Sequence, residues 1–559
     1  SRARPRGVIT RAFKHSPGRD QDRASQHIRD RSAPIAASTA QAEMARPSAI
    51  QRSLRASLLL VPIALWIWLC RDWPARLGFY SDDWMLLLHP FVGTAEAYRD
   101  IARVVASRPV SIPFIWLAQV LVDWSPVRSQ VLNALMLLMT AACVGLLASA
   151  LVSASRLRDG ALAAACAAAA SFIVFPPNLG TFAWGVGVTT AVPALPLFCA
   201  AMYLLLNSRG SWWRIGAGLL LSLLSHLAYE AFYFQEIPLI LIAIALRGGS
   251  NKDIPWRVLI GIIIVNVLCV AFNRLNPGGV HKTFTLNFLR VFDAGFSHFF
   301  AILGHAVREH KILVGFSVLG AMVSGSICLT GIIEPAKAGV ALFLVICGVV
   351  ASGFLYAFAG YPLHAEGPPA RVFIVIATYY SLAAGVLSAA AWCAFSNRRA
   401  LAMAFCCCSL IGLAALDMTA RLRVSEWADA WTYEVARLAR LPPPVATLGS
   451  EHRIYVAVEE KAGSTIEPAT APWEITGAVA WASYKLTNSR LLALDLWRGV
   501  PAWFATPPDW FNRWNGTSFA QGPCKEAASV VVPATELWLW RTSTSKLTQA
   551  DAPWQFGCQ

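Results

Sequence analysis

Between residue 56 and about residue 417 the chain alternates long apolar runs with short polar connections. The runs hold roughly 17 to 25 residues each, the length a helix needs to cross the hydrocarbon core of a bilayer. The pattern predicts about eleven transmembrane helices, at 56–70, 129–151, 160–175, 186–206, 213–228, 232–246, 257–272, 312–331, 337–358, 371–395 and 400–417. One segment, "PVSIPFIWLAQVLVD" at 109–123, is apolar but short and interrupted by Pro113. It is expected to lie along the interface instead of crossing.

That assignment sorts the connections by side. "SASRLRDG", "NSRGSWWR", "RGGSNKDIPWR", "EPAK" and "SNRRA" then share one face, and each carries Lys or Arg, as the positive-inside rule requires of cytoplasmic loops. The N-terminus is predicted inside and the C-terminus outside. The outer face receives "YSDDW", "ASRPVS", "FPPNLGTFAWGVGVTT", "SHLAYEAFYF", the connection 273–311 and "GYPLHAEGPPAR". Acids, histidines and isolated cations at the ends of spans are costly in lipid and mark a cavity or a site. Here they gather on the outer side.

After residue 417 the pattern changes. The amphipathic stretch "RLRVSEWADAWTYEVARLARL" leads through "PPP" into a tail with strand-like runs "RIYVAVEE" and "SVVVPATELWLWR". The expected fold is an all-α polytopic membrane protein with a small C-terminal extracytoplasmic mixed α/β domain. Its parts are a basic arm at 1–55, a multi-span module at 56–417 with a first outer loop at 71–128, and the external domain at 418–559.

Composition agrees with the membrane assignment: of 559 residues 56% are hydrophobic and 14% charged, and mean hydropathy is +0.51. The net charge of +15 raises the question of a nucleic-acid partner. Its distribution answers it, because residues 1–55 hold 12 Lys/Arg against 4 Asp/Glu, as expected of a disordered cytoplasmic flank; no nucleic-acid partner is predicted. Met44 would make a natural start, so residues 1–43 are expected to lie outside the working protein. The first apolar run reads as a retained anchor. The 13 cysteines show no CxxC pair and no metal-ligand spacing. Only Cys524 and Cys558 fall in the polar tail, where an oxidising compartment would let them pair. The sequon at Asn515 matters only in a eukaryotic secretory setting, and the Ala/Arg/Trp-rich usage suggests a bacterial chain.

A first helix, an outer loop with an acidic pair before a Trp ("SDDW"), an "RP" dipeptide about 25 residues later ("SRPVSIPFIWL") and an Asn-containing helix ("VRSQVLNALMLLMTA") resemble the GT-C superfamily of integral membrane glycosyltransferases. Its members include the protein O-mannosyltransferases and the lipid A aminoarabinose transferases. The likeness covers about residues 56 to 395 in layout and is specific over the acidic pair and the "RP". It implies a polyprenyl-phosphate sugar donor, an active site on the outer face of a bacterial inner membrane, and an acid of the first outer loop acting at the acceptor. The acceptor would be an envelope glycan, lipid or protein.

Such a transfer needs a carboxylate to take the acceptor proton, because an alcohol is a poor nucleophile. It also needs cations on the departing phosphate and a greasy groove for the prenyl chain. Asp83 and Asp82 are the candidate bases, Asp83 first. Adjacent side chains point apart, so one of them is expected to face the acceptor while the other orients it, binds a loop or holds a metal. Capping of the following helix is the competing role, for Asp82 above all. Arg371, at the start of an apolar span after "HAEGPP", and Arg108, before Pro109, are the first candidates for the phosphate. Arg371 could instead snorkel, and Arg108 could cap backbone or pair with Asp82 or Asp83. His281 and Lys282 are further phosphate candidates, against a plain solvated loop.

For the substrates the candidates are Glu230 and His226, four apart on one helix face, with mutual pairing as the alternative. His364 and Glu366 could line the acceptor site or simply make a polar loop. Trp84 and Trp184 could stack on sugars, though interfacial belts account for most Trp residues here. A divalent cation, Mg or Mn, would be held by Asp83 and Glu230 if one is used. Two other functions stay open at this point. An O-antigen polymerase or ligase would be expected to carry a large outer loop rich in Arg and His, and a lipid-linked sugar flippase would place charges mid-span and show internal repeats.

Overall fold

The computed structural model describes residues 49–80, 82–88, 93–247, 256–276, 311–358, 373–441, 453–457, 466 and 472–487, together with short pieces at 513–514, 519–520, 530–532, 537–541, 546–549 and 554–556. The chain divides after Ser57, and Leu58–Gln559 is one compact unit. That unit is dominated by helices, as lipid demands: with no water to satisfy the backbone, an isolated segment has to close its hydrogen bonds within itself.

Seven helices among the described residues are long and apolar enough to cross a membrane: Ser57–Arg76, Pro126–Ser153, Gly185–Leu206, Trp256–Leu275, Pro335–Gly353, Ile374–Ala394 and Arg399–Leu438. An eighth follows if Arg158–Ile173 and Pro176–Phe182, bent by 61°, form one broken span. The chain is therefore a polytopic membrane protein, but the expected count of about eleven is not supported. Two of the expected spans fold as shorter helices, Trp212–Ala228 with 17 residues and Glu236–Leu246 with 11. At 1.5 Å per residue these reach about 26 and 16 Å, against a core of about 30 Å. The apolar run is cut between them, where Tyr229 is extended (φ −157°, ψ 123°) and Phe234 turns left-handed (φ 63°). The segment expected to lie at the interface folds as the helix Ser111–Val122, 12 residues or about 18 Å, too short to cross.

The bend in the broken pair has a local cause. Pro176 has no N–H for the carbonyl of Phe172, one turn back, and the side-chain Nδ2 of Asn178 donates to that carbonyl at 2.6 Å instead. The Ala-rich helix Ala161–Ile173 lies between Pro126–Ser153 and Ile374–Ala394, where small residues let the backbones close. A Cβ on Gly145 would stand 2.7 Å from the Ala165 carbonyl oxygen, and one on Gly385 2.8 Å from that of Ala164. These helices form the centre: 78% of the Ile374–Ala394 span is buried, against 22% for Trp256–Leu275, whose exposed Ile and Val side chains suit lipid.

The bundle has two chemically different ends. At one, arginines sit on carbonyls at helix C-termini: Arg398 Nη1 donates to Ile327 O at 2.9 Å, Arg247 Nη1 to Leu206 O at 2.9 Å and Arg214 Nη1 to Asn207 O at 2.7 Å. The unpaired carbonyls and the negative end of the helix dipole both favour a cation there. These are the basic connections picked out by sequence. Among the described residues, the opposite helix ends carry Asp83, Arg108 and Glu230.

The last helix, Arg399–Leu438, runs without a break for 40 residues, about 60 Å, straight through the domain boundary expected at residue 418. Its far half stands on the acidic end and packs on the first outer loop, as does the tail helix Pro472–Thr487. Strands occur at Arg453–Ala457 and Leu537–Arg541, paired in parallel, with Leu547–Gln549 antiparallel to the second. Two further short antiparallel pairs join Arg513–Trp514 to Phe519–Ala520 and Val530–Val532 to Trp554–Phe556. Asn515, Cys524 and Cys558 lie outside the described residues.

Candidate functional site

The stretch "GFYSDDW" is held at the acidic end by hydrogen bonds to distant elements. Asp83 is fully buried, and its carboxylate accepts three backbone N–H groups: Val186 to Oδ1 at 2.7 Å, Gly185 to Oδ2 at 3.1 Å and Tyr80 to Oδ2 at 3.1 Å. Gly185 and Val186 open the 22-residue helix Gly185–Leu206, whose first amides have no partner within the helix. Asp83 thus caps a helix about 100 positions away, with its oxygens at the positive dipole end. Burial pushes the Asp83 carboxyl up, to about 8, against the downward pull of the three N–H groups. That value would suit a general base, but geometry comes first: the group is fully buried and three of its acceptor positions are taken by backbone.

Gln130 closes the same junction: its Nε2 donates to Gly78 O at 2.7 Å and to Ala183 O at 3.1 Å. The Tyr80 hydroxyl donates to Trp427 O at 2.7 Å, tying the loop to the last helix. Asp82 is different in kind. It holds the N-cap position of the short helix Asp83–Leu86, yet its backbone is helical (φ −66°, ψ −8°) and its side chain makes no cap bond. It is half-buried. The capping expected of Asp82 is thus carried out by Asp83, on another helix.

The "RP" and "HLAYE" motifs meet. Arg108 and Glu230 form a two-pronged ion pair, Nε to Oε2 at 2.8 Å and Nη2 to Oε1 at 2.7 Å, with side-chain exposures of 21% and 13%. The guanidinium also lies over the Tyr229 ring, 4.8 Å from its centroid. Alongside, Ser111 Oγ donates to Ala228 O at 2.8 Å. The helix Ser111–Val122 links this pair to the acids, since Gln119 Nε2 donates to Leu86 O at 2.6 Å. Gln119 stands eight residues along from Ser111, about 12 Å. Arg108 therefore pairs with Glu230, where the sequence had left Asp82 or Asp83 as partners.

His226 pairs with Glu236, not with Glu230: Nε2 is 2.8 Å from Oε1, and both side chains are fully buried. The Ser222 hydroxyl donates to the same carboxylate, and Asn266 Nδ2 approaches its other oxygen at 3.4 Å. Asn266 Oδ1 accepts Phe234 N at 2.6 Å and the Tyr379 hydroxyl donates to Gln235 O at 3.1 Å, so this group fixes the turn that carries Glu230. His226 belongs to that internal support, away from any exposed substrate face. Glu236 escaped the sequence reading although an acid opening the run "EIPLILIAIAL" is the intramembrane signal that would have found it.

Trp84 and Trp184 are each 1% exposed and present no ring face for a sugar. Trp84 is stacked with Trp431 at 6.0 Å and edge-on to Trp481, within a cluster that clamps the acidic loop between the last helix and the tail helix. His281, Lys282, His364, Glu366 and Arg371 lie outside the described residues. A divalent cation finds no ready site: among the described residues no three His, Cys, Asp or Glu side chains gather, and Asp83 and Glu230 accept N–H groups instead.

No family model matches the chain, and no curated protein matches it. Among solved structures, one of the Archaeoglobus fulgidus oligosaccharyltransferase with Zn and sulfate aligns at 12% identity and a TM-score of 0.36, covering 76% of this chain and 61% of that one. The chain thus spans less than two thirds of that structure's length.

Proposed function

We propose that the protein is an inverting membrane glycosyltransferase that moves a sugar from a polyprenyl-phosphate donor to an envelope acceptor on the outer face of a bacterial inner membrane. The observation that carries this is the assembly of the "SDDW", "RP" and "HLAYE" segments at the end of the bundle opposite the arginine-capped helix ends. Asp82 is the base and Asp83 its anchor. A carboxylate that accepts three backbone amides holds its loop in place and is shut off from an acceptor hydroxyl, whereas its neighbour stays at the rim. Arg108 receives the donor phosphate, with its long aliphatic stem and fork suited to a bidentate phosphate contact at a membrane surface.

The acceptor hydroxyl gives its proton to Asp82 as its oxygen attacks the anomeric carbon, and the bond from that carbon to the phosphate oxygen breaks with its electron pair going to the phosphate. Phosphate leaves readily, so no general acid is required, and direct displacement inverts the anomeric centre. The test is transfer from labelled polyprenyl-phospho-sugars in membranes holding Asp82→Asn. Loss of transfer by at least about 100-fold is expected, the usual scale for a general base. Full transfer by this variant would sink the mechanism.

A further inference from the structure

We infer that Glu230 is an exchangeable stand-in for the lipid phosphate: it fills the fork of Arg108 in the resting protein and is displaced from it when polyprenyl phosphate, the phosphate monoester left after sugar transfer, binds. The inference rests on the phosphate role proposed for Arg108. The carboxylate takes both prongs, Nε and Nη2, at 2.8 and 2.7 Å, which is the edge a phosphate would use. Carboxylate and phosphate each present a pair of oxygens to the guanidinium edge, and a phosphate monoester carries the greater charge.

Arg108 stands between fixed points: Pro109 restricts the backbone beside it, Ser111 is bonded to Ala228 O, and the Tyr229 ring lies beneath the guanidinium. Glu230 begins a single 3-10 turn, Glu230–Phe232, next to the extended Tyr229, and meets the fork at the end of a flexible side chain. When a competing anion arrives, the guanidinium stays and the carboxylate swings away. The pair is also partly open to solvent, at 21% and 13%, so a competing anion has a path to the fork. In the absence of donor the carboxylate keeps the fork oriented and keeps unrelated anions out.

The experiment measures binding of polyprenyl phosphate to the full chain in nanodiscs, with inorganic phosphate in a parallel arm. Glu230→Gln is expected to tighten polyprenyl phosphate about tenfold, the scale of one lost charge-assisted competitor. Glu230→Asp, which keeps the charge but shortens the reach, should tighten it less. Glu96→Gln removes an exposed acid from the same outer loop and should leave binding unchanged, which separates exchange at the fork from a general change of charge. Arg108→Ala and Arg108→Lys should both weaken binding, with folding checked by thermal unfolding. Unchanged binding in both Arg108 variants would overturn the phosphate site itself. Weaker binding in those variants, with Glu230→Gln unchanged or weaker as well, would overturn the exchange and leave the phosphate site standing. Tightening confined to inorganic phosphate would overturn the lipid-linked ligand.

Discussion

Asp83 and Val186, 103 positions apart, are joined by a 2.7 Å hydrogen bond that fixes the acidic loop to the start of a buried helix. Above about pH 8, where Asp83 is ionised, an amide at position 83 would turn one acceptor oxygen into an NH2 group facing an N–H donor, leaving at least one buried amide unpaired. Asp83→Asn is therefore expected to lower stability by about 1–3 kcal/mol, the cost of an unsatisfied buried donor. Asp82→Asn, at the rim, should cost under about 1 kcal/mol while removing transfer. Melting curves and transfer rates on the two variants separate anchor from base. Equal stability losses would show that the roles are not divided.

The same carboxyl makes stability depend on pH. Asp83 ordinarily titrates near 3.8 and in the fold near 8, so between those values the folded chain holds a proton that the unfolded chain has released. Stability from this group is full below about pH 4 and lost as pH rises through about 8. The melting temperature in nanodiscs should fall between pH 6 and pH 9, and the fall should be smaller in Asp83→Asn, which has nothing to titrate at that position. An identical slope in both proteins would assign the effect elsewhere.

Gly78 and Trp431 make the tightest contact in the loop. A Cβ at Gly78 would come within 2.0–2.2 Å of the Trp431 ring, and that ring is locked by Trp84 and Trp481. Gly78→Ala should therefore destabilise by about 1–3 kcal/mol as an overpacking change. Trp431→Ala opens a cavity instead, at about 3–5 kcal/mol. In Gly78→Ala with Trp431→Ala the methyl occupies vacated space, so the double variant should be more stable than the sum of the single losses predicts, by at least about 0.5 kcal/mol. Strict additivity would mean that the two residues do not touch in the working protein.

Much of this was legible in the chain. The apolar runs located the helices, the basic connections located one end of the bundle, and "SDDW", "RP" and "HLAYE" marked the other. Partners were not legible, because a partner is a distance in space: nothing in "RPVS" names Glu230, and nothing in "SDDW" names the amides of Gly185 and Val186. Span lengths failed for a related reason, since hydropathy reads "SLLSHLAYEAFYFQEIPLILIAIAL" as two crossings while the extended Tyr229 and left-handed Phe234 shorten both helices. The amphipathic stretch after residue 417 reads as the start of an external domain because the composition changes there. Its apolar face is instead covered by the outer loop and tail helix, which lets one helix continue.

His226 and Glu236 give a test of support at a distance. Both are fully buried 2.8 Å apart, and losing either leaves the other uncompensated. Glu236→Leu is expected to cost about 3–5 kcal/mol, whereas His226→Leu with Glu236→Leu should recover a large part of that loss. Because the turn carrying Glu230 hangs from the same group, polyprenyl-phosphate affinity should shift in the single variant as well. A single variant with unchanged melting would place the pair in contact with water.

Sidedness decides whether the acids can meet an envelope acceptor at all. Two guanidinium groups lie against the Trp68 ring, Arg421 at 3.9 Å and Arg71 at 4.3 Å from its centroid, an arrangement suited to the membrane interface at the acidic end. At the other end Arg398, Arg247 and Arg214 cap helix C-termini, and lysines and arginines are retained on the cytoplasmic side because moving them across is disfavoured. Glu96 and Arg158 are exposed at the two ends. In a background without other water-accessible cysteines, Glu96→Cys should react with a membrane-impermeant maleimide on intact cells whose outer membrane has been opened, and Arg158→Cys only after the inner membrane is permeabilised. The reverse pattern would put the acidic loop in the cytoplasm, out of reach of an outer-face acceptor, and the proposed transfer could not occur there.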